Sequence, residues 1–136
     1  MQFIIDTISN WDFGSDNSGN IMSSANIRAM WACLGGKVDL VTGDGSVNCQ
    51  SNPNEQELTV AHLHFCEAVF ALGALRPGGD VVLKMFTLFE NQSIELVYLM
   101  AAHFRKLSIF KPATSKGGNA EVYLVARGTS DLLVEF

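Results

Sequence analysis

Cysteine is scarce and scattered: Cys33, Cys49 and Cys66 are all there is. An odd, unpaired set excludes a disulfide framework and the twin C-x-x-C spacing of a structural zinc site, and points to a reducing compartment. Charge is thin as well, at 17% of residues. Beside 48% hydrophobic residues, that excludes a disordered tail. Basic residues are outnumbered, nine Lys and Arg against fourteen Asp and Glu, for a net charge of −5. No global basic field therefore draws the chain onto nucleic acid, and any such contact must rest on a local cluster. No apolar run reaches the roughly 18 residues of a membrane span. Asp6 interrupts the apolar start, so no signal peptide is expected there. Internal repeats, low-complexity tracts and Walker-type glycine loops are missing too.

What is present reads as one domain of 136 residues with an apolar balance, mean hydropathy +0.19. That balance suggests a surface meant to be covered. Phe3 to Ile8 is a short strand or the end of a helix, and Asn10 to Asn20 is a loop rich in Asn, Asp, Ser and Gly. Ser23 or Ser24 caps a helix to about Leu34, with Ile27, Met30, Trp31 and Leu34 on its apolar face, and Gly35-Gly36 stops it. Val38 to Thr42 is a strand. A long helix opens at Pro53 or Asn54 and runs from about Glu55 to Leu75, with Leu58, Ala61, Phe65, Ala68, Val69 and Leu72 as its stripe. Ser93 to about Phe104 is a further helix with Ile94, Val97, Tyr98, Ala101 and Ala102 apolar. Lys106 to Phe110 and Val122 to Ala126 are strands joined by a Gly/Ser/Thr/Lys loop, and the tail from 129 to 136 is a candidate further strand. Alternating helix and strand predict an α/β fold: a mostly parallel sheet, helices on both faces, and one antiparallel strand at the carboxyl end.

One stretch organises the rest, Gly78-Gly79-Asp80-Val81-Val82-Leu83-Lys84. Its two glycines are expected to end the long helix. Its unbroken apolar run reads as a strand buried on both faces. Lys84 closes the strand at the sheet edge where open α/β folds place their sites. Asp44 follows the preceding strand in Gly43-Asp44-Gly45, and Glu121 opens the last, antiparallel strand. Topology therefore brings Asp44, Lys84 and Glu121 to one edge. Singly, each has a plain structural reading: a turn former, a solvated strand end, a surface charge. His62 and His64, two apart on a helix, point to different sides. His62 and Cys66 offer only two ligands, so no metal site is expected. Phe86, Phe89 and Phe110 read as core.

Val38-Asp39-Leu40-Val41-Thr42-Gly43-Asp44-Gly45-Ser46, Asn54-Glu55-Gln56-Glu57, Gly78 to Phe86, Phe110-Lys111-Pro112-Ala113-Thr114-Ser115-Lys116 and Asn119-Ala120-Glu121-Val122-Tyr123 occur in that order. With Trp11 to Met22, this series resembles the FtsJ-type ribose 2′-O-methyltransferases, in the branch that methylates the second transcribed nucleotide of capped mRNA. The resemblance implies a Rossmann-like methyltransferase sheet, S-adenosylmethionine as cofactor, capped mRNA as partner, and a nuclear or cytoplasmic location. It implies Asp44, Lys84 and Glu121 as three members of the family's Lys-Asp-Lys-Glu tetrad. It places Asp44, Asn20, Ile21 and Asp16 near the cofactor, and Lys111 and Lys116 on the RNA backbone. The family's first lysine and its glycine-rich methionine loop have no counterpart here. The likeness therefore covers the carboxyl-terminal half of a catalytic domain, lacking the first strand. A missing amino-terminal half or a second copy of the chain is then the expected neighbour of the bared sheet edge. Two other readings stay open: a non-catalytic binding or scaffold module, and an enzyme of this fold acting on another RNA.

Overall fold

The protein is represented by a computed structural model, which describes residues 2–34, 38–47, 56–115, 118 and 120–130. A helix α1 (Gln2–Thr7) and a 3-10 turn (Ile8–Asn10) lead into the loop that enters α2 (Ser24–Cys33). Then follow β1 (Val38–Gly43), α3 (Gln56–Ala74), β2 (Leu75–Met85), α4 (Asn91–His103), β3 (Phe104–Phe110) and β4 (Val122–Thr129). The four strands form one sheet in the order β1-β2-β4-β3. β1 and β2 pair in parallel, and β4 runs antiparallel to both β2 and β3. Three strands therefore point one way and β4 alone opposes them, as the sequence predicts. Gly35-Gly36, Asn54 and the tail beyond Ser130, on which further expectations rest, lie outside the described residues.

The core sits on one face of this sheet. Val81, Leu83 and Met85 of β2 and Leu124 and Ala126 of β4 meet Ala68, Ala71 and Ala74 of α3 and Leu96 and Met100 of α4. Each fully buried aliphatic side chain of this set contributes about 1.5–3 kcal/mol. Small alanines on α3 let the helix approach the sheet closely.

Two expectations need correction here. Helices do not cover both faces: among the described residues, α3 and α4 share the face just given. Leu40, Thr42, Val82, Lys84, Tyr123, Val125 and Phe110 line the other, where Leu40 is 54% and Phe110 56% exposed. For the same reason β2 is not buried on both sides. Its Val81, Leu83 and Met85 are buried and its Val82 and Lys84 half-buried, the alternation of a sheet covered once.

The glycines do not end the long helix either. α3 stops at Ala74, and Leu75 already pairs with Val38. Gly78 and Gly79 lie in an irregular stretch between that pair and Leu40–Asp80, where β2 takes several residues to β1's two. Gly78 has φ +79°, and a Cβ on Gly79 would sit 3.1 Å from the Asp39 carbonyl oxygen, so both positions need glycine. Asp80 accepts the Gly128 N–H at 2.8 Å and the Thr129 hydroxyl donates to the Arg76 carbonyl at 2.9 Å, which pins this stretch to β4.

The helix faces also differ from the sequence reading. On α3 the buried positions among those described are Glu57, Val60, Leu63, His64, Cys66, Glu67, Ala68, Ala71 and Ala74, while Phe65 is 49% exposed. On α4 they are Ser93, Leu96 and Met100, with Tyr98 and both alanines outside. Of the three phenylalanines expected in the core, Phe86 is buried, whereas Phe89 and Phe110 are exposed. Large apolar residues had drawn the stripe toward themselves, while small and polar ones occupy the true contact. On α2, Ile27 is buried and Leu34 exposed, and Ser23 takes the cap position without a side-chain cap bond.

α2 packs on α3 through Trp31, whose indole N–H donates to the Phe70 carbonyl at 3.0 Å. A methyl group on Gly73 would lie 2.3 Å from the indole ring. The ring cannot swing away without breaking that bond. Gly73→Ala is therefore expected to destabilise the fold by about 1–3 kcal/mol, overriding the roughly 1 kcal/mol that alanine gains in a helix. Urea unfolding measures it, and a more stable variant would refute this packing.

His64 is the anomaly of the core: it is 1% exposed, neither ring nitrogen has a hydrogen-bond partner among the described residues, and its ring stacks on Phe86. Burial lowers its pKa to about 4, with the Lys84 charge pushing the same way and the Glu57 charge opposing. The unfolded chain takes up this proton near pH 6.5 and the folded chain does so only near 4. Stability is thus whole above about 6.5 and falls as pH drops toward 4, by about 3 kcal/mol. His64→Phe is expected to remove that share of the slope between pH 6.5 and 4 in urea unfolding. An unchanged slope would show that His64 is not held neutral.

Candidate active site

β1 and β2 run in parallel, so their carboxyl ends lie side by side, and Thr42 and Gly43 pair with Val82 and Leu83. One step further, Asp44 and Lys84 form an ion pair. The Lys84 side chain is 14% exposed and Asp44 70%, so the lysine is the buried member and the acid faces out. Lys84 neither reaches into open water nor sits alone. Its ammonium lies 5.8 Å from the Phe86 ring centre, which supplies a cation–π contact beneath it.

β4 completes the edge because it runs the other way. Lys84 pairs with Tyr123 across β2 and β4, which sets the start of β4 beside the end of β2. The Tyr123 hydroxyl donates to Glu121 Oε1 at 2.5 Å. That hydrogen bond to Glu121 raises the phenol's pKa, reinforced by desolvation and by the charges of Glu121 and Asp44. Asp44, Lys84, Tyr123 and Glu121 therefore share one end of the sheet, on the side no described helix covers. Tyr123 is the member that sequence reasoning missed. Its signal was its place two residues after Glu121, on the same face of the strand.

The loops of this edge are held by α3. Glu57 is buried and accepts the Thr87 hydroxyl at 2.5 Å, the Phe89 N–H at 3.2 Å and the Glu90 N–H at 2.8 Å. Burial pushes its carboxyl up, but these bonds outweigh that and leave it below the usual range. Glu90 is the N-cap position of α4, so Glu57 serves the helix start that Glu90's own side chain leaves uncapped.

The residues assigned to the cofactor fall into two places. Asp44 is at the edge just described. Asp16 and Asn20 belong to the loop before α2, which is organised by the fully buried Asn26. Asn26 Nδ2 donates to Asp16 Oδ1 at 2.9 Å, to the Ser18 hydroxyl at 3.2 Å and to the Asn20 carbonyl at 3.1 Å, and Asn26 Oδ1 accepts the Ser15 hydroxyl at 2.9 Å. Bonds from Ser18 and then Asn26 hold the Asp16 carboxyl below its ordinary range. Ile21 begins a turn in the same loop. Trp31, near the end of α2, meets α3 near its own end.

Lys111 donates to the Glu121 carbonyl at 2.6 Å, which ties the 111–115 loop to the same corner, while Lys116 lies outside the described residues. Cys66 Sγ is 3.8 Å from His62 Nε2, and no group of three metal-ligating side chains occurs among the described residues. No described helix is long and apolar enough to cross a membrane.

Residues 2–129 match the FtsJ-like methyltransferase family. The chain is 50% identical over 126 residues to the cap-specific mRNA (nucleoside-2′-O-)-methyltransferase 2 of Mus musculus, and 46% identical over 128 residues to that of Drosophila melanogaster. These matches cover 91% of this chain but only 16% and 18% of the two relatives. The cap-specific mRNA (nucleoside-2′-O-)-methyltransferase of Autographa californica nuclear polyhedrosis virus is 38% identical across 82% of this chain and 43% of its own length. A ribosomal RNA methyltransferase from Plasmodium falciparum shares the fold with a TM-score of 0.61 at 24% identity, over 88% of this chain and 61% of that one. By its matched span, its sheet and the residues gathered at the sheet's carboxyl edge, the chain belongs to the FtsJ-like methyltransferase family.

Proposed function

We propose that this chain forms the carboxyl-terminal half of a catalytic domain that methylates ribose 2′-hydroxyls of capped mRNA, at the second transcribed nucleotide. The observation that carries the reading is the Asp44–Lys84 ion pair beside Glu121 and Tyr123, in a chain half identical to the mouse cap enzyme. A ribose hydroxyl attacks a methyl group only as its proton is drawn off. Lys84 is the residue to receive that proton, as the neutral amine left once the ammonium of the resting ion pair has given its own proton to bulk water. Asp44 aims the Lys84 nitrogen, and Glu121, joined to Tyr123, closes the site from β4. Phe86 shields the lysine from water on one side.

S-adenosylmethionine, when bound, supplies the methyl group from a positively charged sulfonium. The donor set fits that charge: the outward Asp44 carboxylate is the natural complement. The Asn20-Ile21 turn, held by Asn26, is the piece suited to the adenosine end, with Asp16 behind it. Lys111 and Lys116 would meet the RNA backbone, a local cluster acting against a net charge of −5. Such an enzyme would work in the nucleus, the cytoplasm or both. The contrary reading, a non-catalytic binding or scaffold module, draws on the short span of the match.

Set in a complete domain of the family, Lys84→Ala is expected to lower methyl transfer to a capped oligoribonucleotide by about 100-fold or more. Undiminished transfer would reject Lys84 as the base. Replacing Lys111 and Lys116 by Ala should flatten the dependence of log affinity on log salt by about 0.7 per lysine. An unchanged slope in RNA titrations would remove both from the RNA path.

A further inference from the structure

Beneath the turn that carries Asp44 lies a carboxyl group that the mechanism above does not use. Glu67 of α3 is 7% exposed. Its Oε1 accepts the Gly45 N–H at 2.8 Å, and its Oε2 is buried without a partner among the described residues. Burial pushes this carboxyl up, the Gly45 bond and the Lys84 charge pull it down, and the Asp44 charge pushes it up again. Glu67 is thus in electrostatic reach of both members of the ion pair.

The two glycines around Asp44 make room for the same group. A Cβ on Gly45 would lie 2.7 Å from Glu67 Oε1, and one on Gly43 would lie 2.7 Å from Leu83 Cδ2 and 3.1 Å from the Glu67 carboxyl. Neither glycine has a positive φ, so backbone freedom is not what these positions need. Space for Glu67, and at Gly43 for Leu83 as well, is. The chain turns around this carboxyl group, with Asp44 at the apex. Packing does not account for an acid there, since an aliphatic side chain would fill the space without the cost of burying a carboxyl. α3 treats the neighbouring loop alike: Glu57 holds Thr87, Phe89 and Glu90 just after β2, the strand that carries Lys84.

We propose that Glu67 is a positioning residue of the methyl-transfer site: by accepting the Gly45 N–H it fixes the Gly43-Asp44-Gly45 turn, and so holds the Asp44 carboxylate against Lys84. The proposal rests on the reading that Asp44 and Lys84 serve methyl transfer. What matters in Glu67 is its acceptor oxygen, not its charge. Loss of the acceptor lets the turn drift, and a shift near 1 Å at a reacting group costs about 100-fold in rate.

Two variants separate acceptor from packing: Glu67→Gln keeps the acceptor, and Glu67→Leu keeps the volume alone. In a complete domain, Glu67→Gln is expected within about threefold of the wild-type kcat. Glu67→Leu should lose about 10- to 100-fold in kcat, with KM for capped RNA and thermal midpoint little changed. Wild-type kcat in Glu67→Leu, or equal loss in both variants, would overturn the proposal. Hydrogen exchange at the Gly45 amide gives a readout independent of turnover. It should be slow in wild type and Glu67→Gln and at least tenfold faster in Glu67→Leu, and equal rates in all three would overturn the proposal. A wild-type domain that transfers no methyl group sinks the reading of Asp44 and Lys84 instead, and the exchange rates then decide the role of Glu67 alone.

Discussion

The pairing of Asp44 with Lys84 is the contact around which the molecule makes sense. The two residues are forty positions apart, separated by a loop and a long helix. Only a parallel β1–β2 register puts the ends of their strands together. α3 makes that register possible, since it returns the chain to the start of the next strand while covering the sheet with Ala68, Ala71 and Ala74. The same helix then fixes the two loops beyond the strand ends through Glu67 and Glu57. Fold and site are thus built by one element. A lysine this enclosed needs its partner, because removing one member of a partly buried pair leaves the other charge uncompensated.

Among the described residues, the sheet is covered on one side and open on the other. Val82, Val125, Tyr123, Leu40 and Phe110 present an apolar surface on the open side, and β1 forms one margin of the sheet. An apolar face next to a strand margin is the surface that α/β folds bury under helices and further strands. The chain's mean hydropathy of +0.19 has its physical source here and in exposed residues such as Phe89 and Tyr98. Relatives many times longer than the matched span have chain enough to cover it.

Much of this was legible in the sequence. The strand ending in Lys84, the strand before Gly43-Asp44-Gly45, the hairpin partner of Val122 to Ala126 and the odd direction of that strand all appear in the structure as the alternation of apolar runs and turns implied. Meeting at one edge followed from topology alone. What the sequence hid was which side of each helix is buried. Phe65 and Tyr98 look like core residues and face out, whereas Glu57, His64 and Glu67 look like surface residues and face in. Periodicity weighs hydrophobicity, and these acids are buried because main-chain N–H groups of nearby loops need acceptors. The Gly-Asp-Gly turn looked like simple turn chemistry, yet its glycines answer to side chains on other elements, Gly45 to Glu67 and Gly43 to Leu83 and Glu67. Asn26 gave no signal, because its partners lie in a loop whose shape it creates.

The central claim is that Asp44 and Lys84 act as one unit in methyl transfer. A double-mutant cycle with Asp44→Asn, Lys84→Met and the pair, read as kcat/KM on capped RNA in a complete domain, tests it most directly. The account expects strong non-additivity, with the double variant no slower than the slower single variant. Losses that simply multiply would show two independent residues and contradict it.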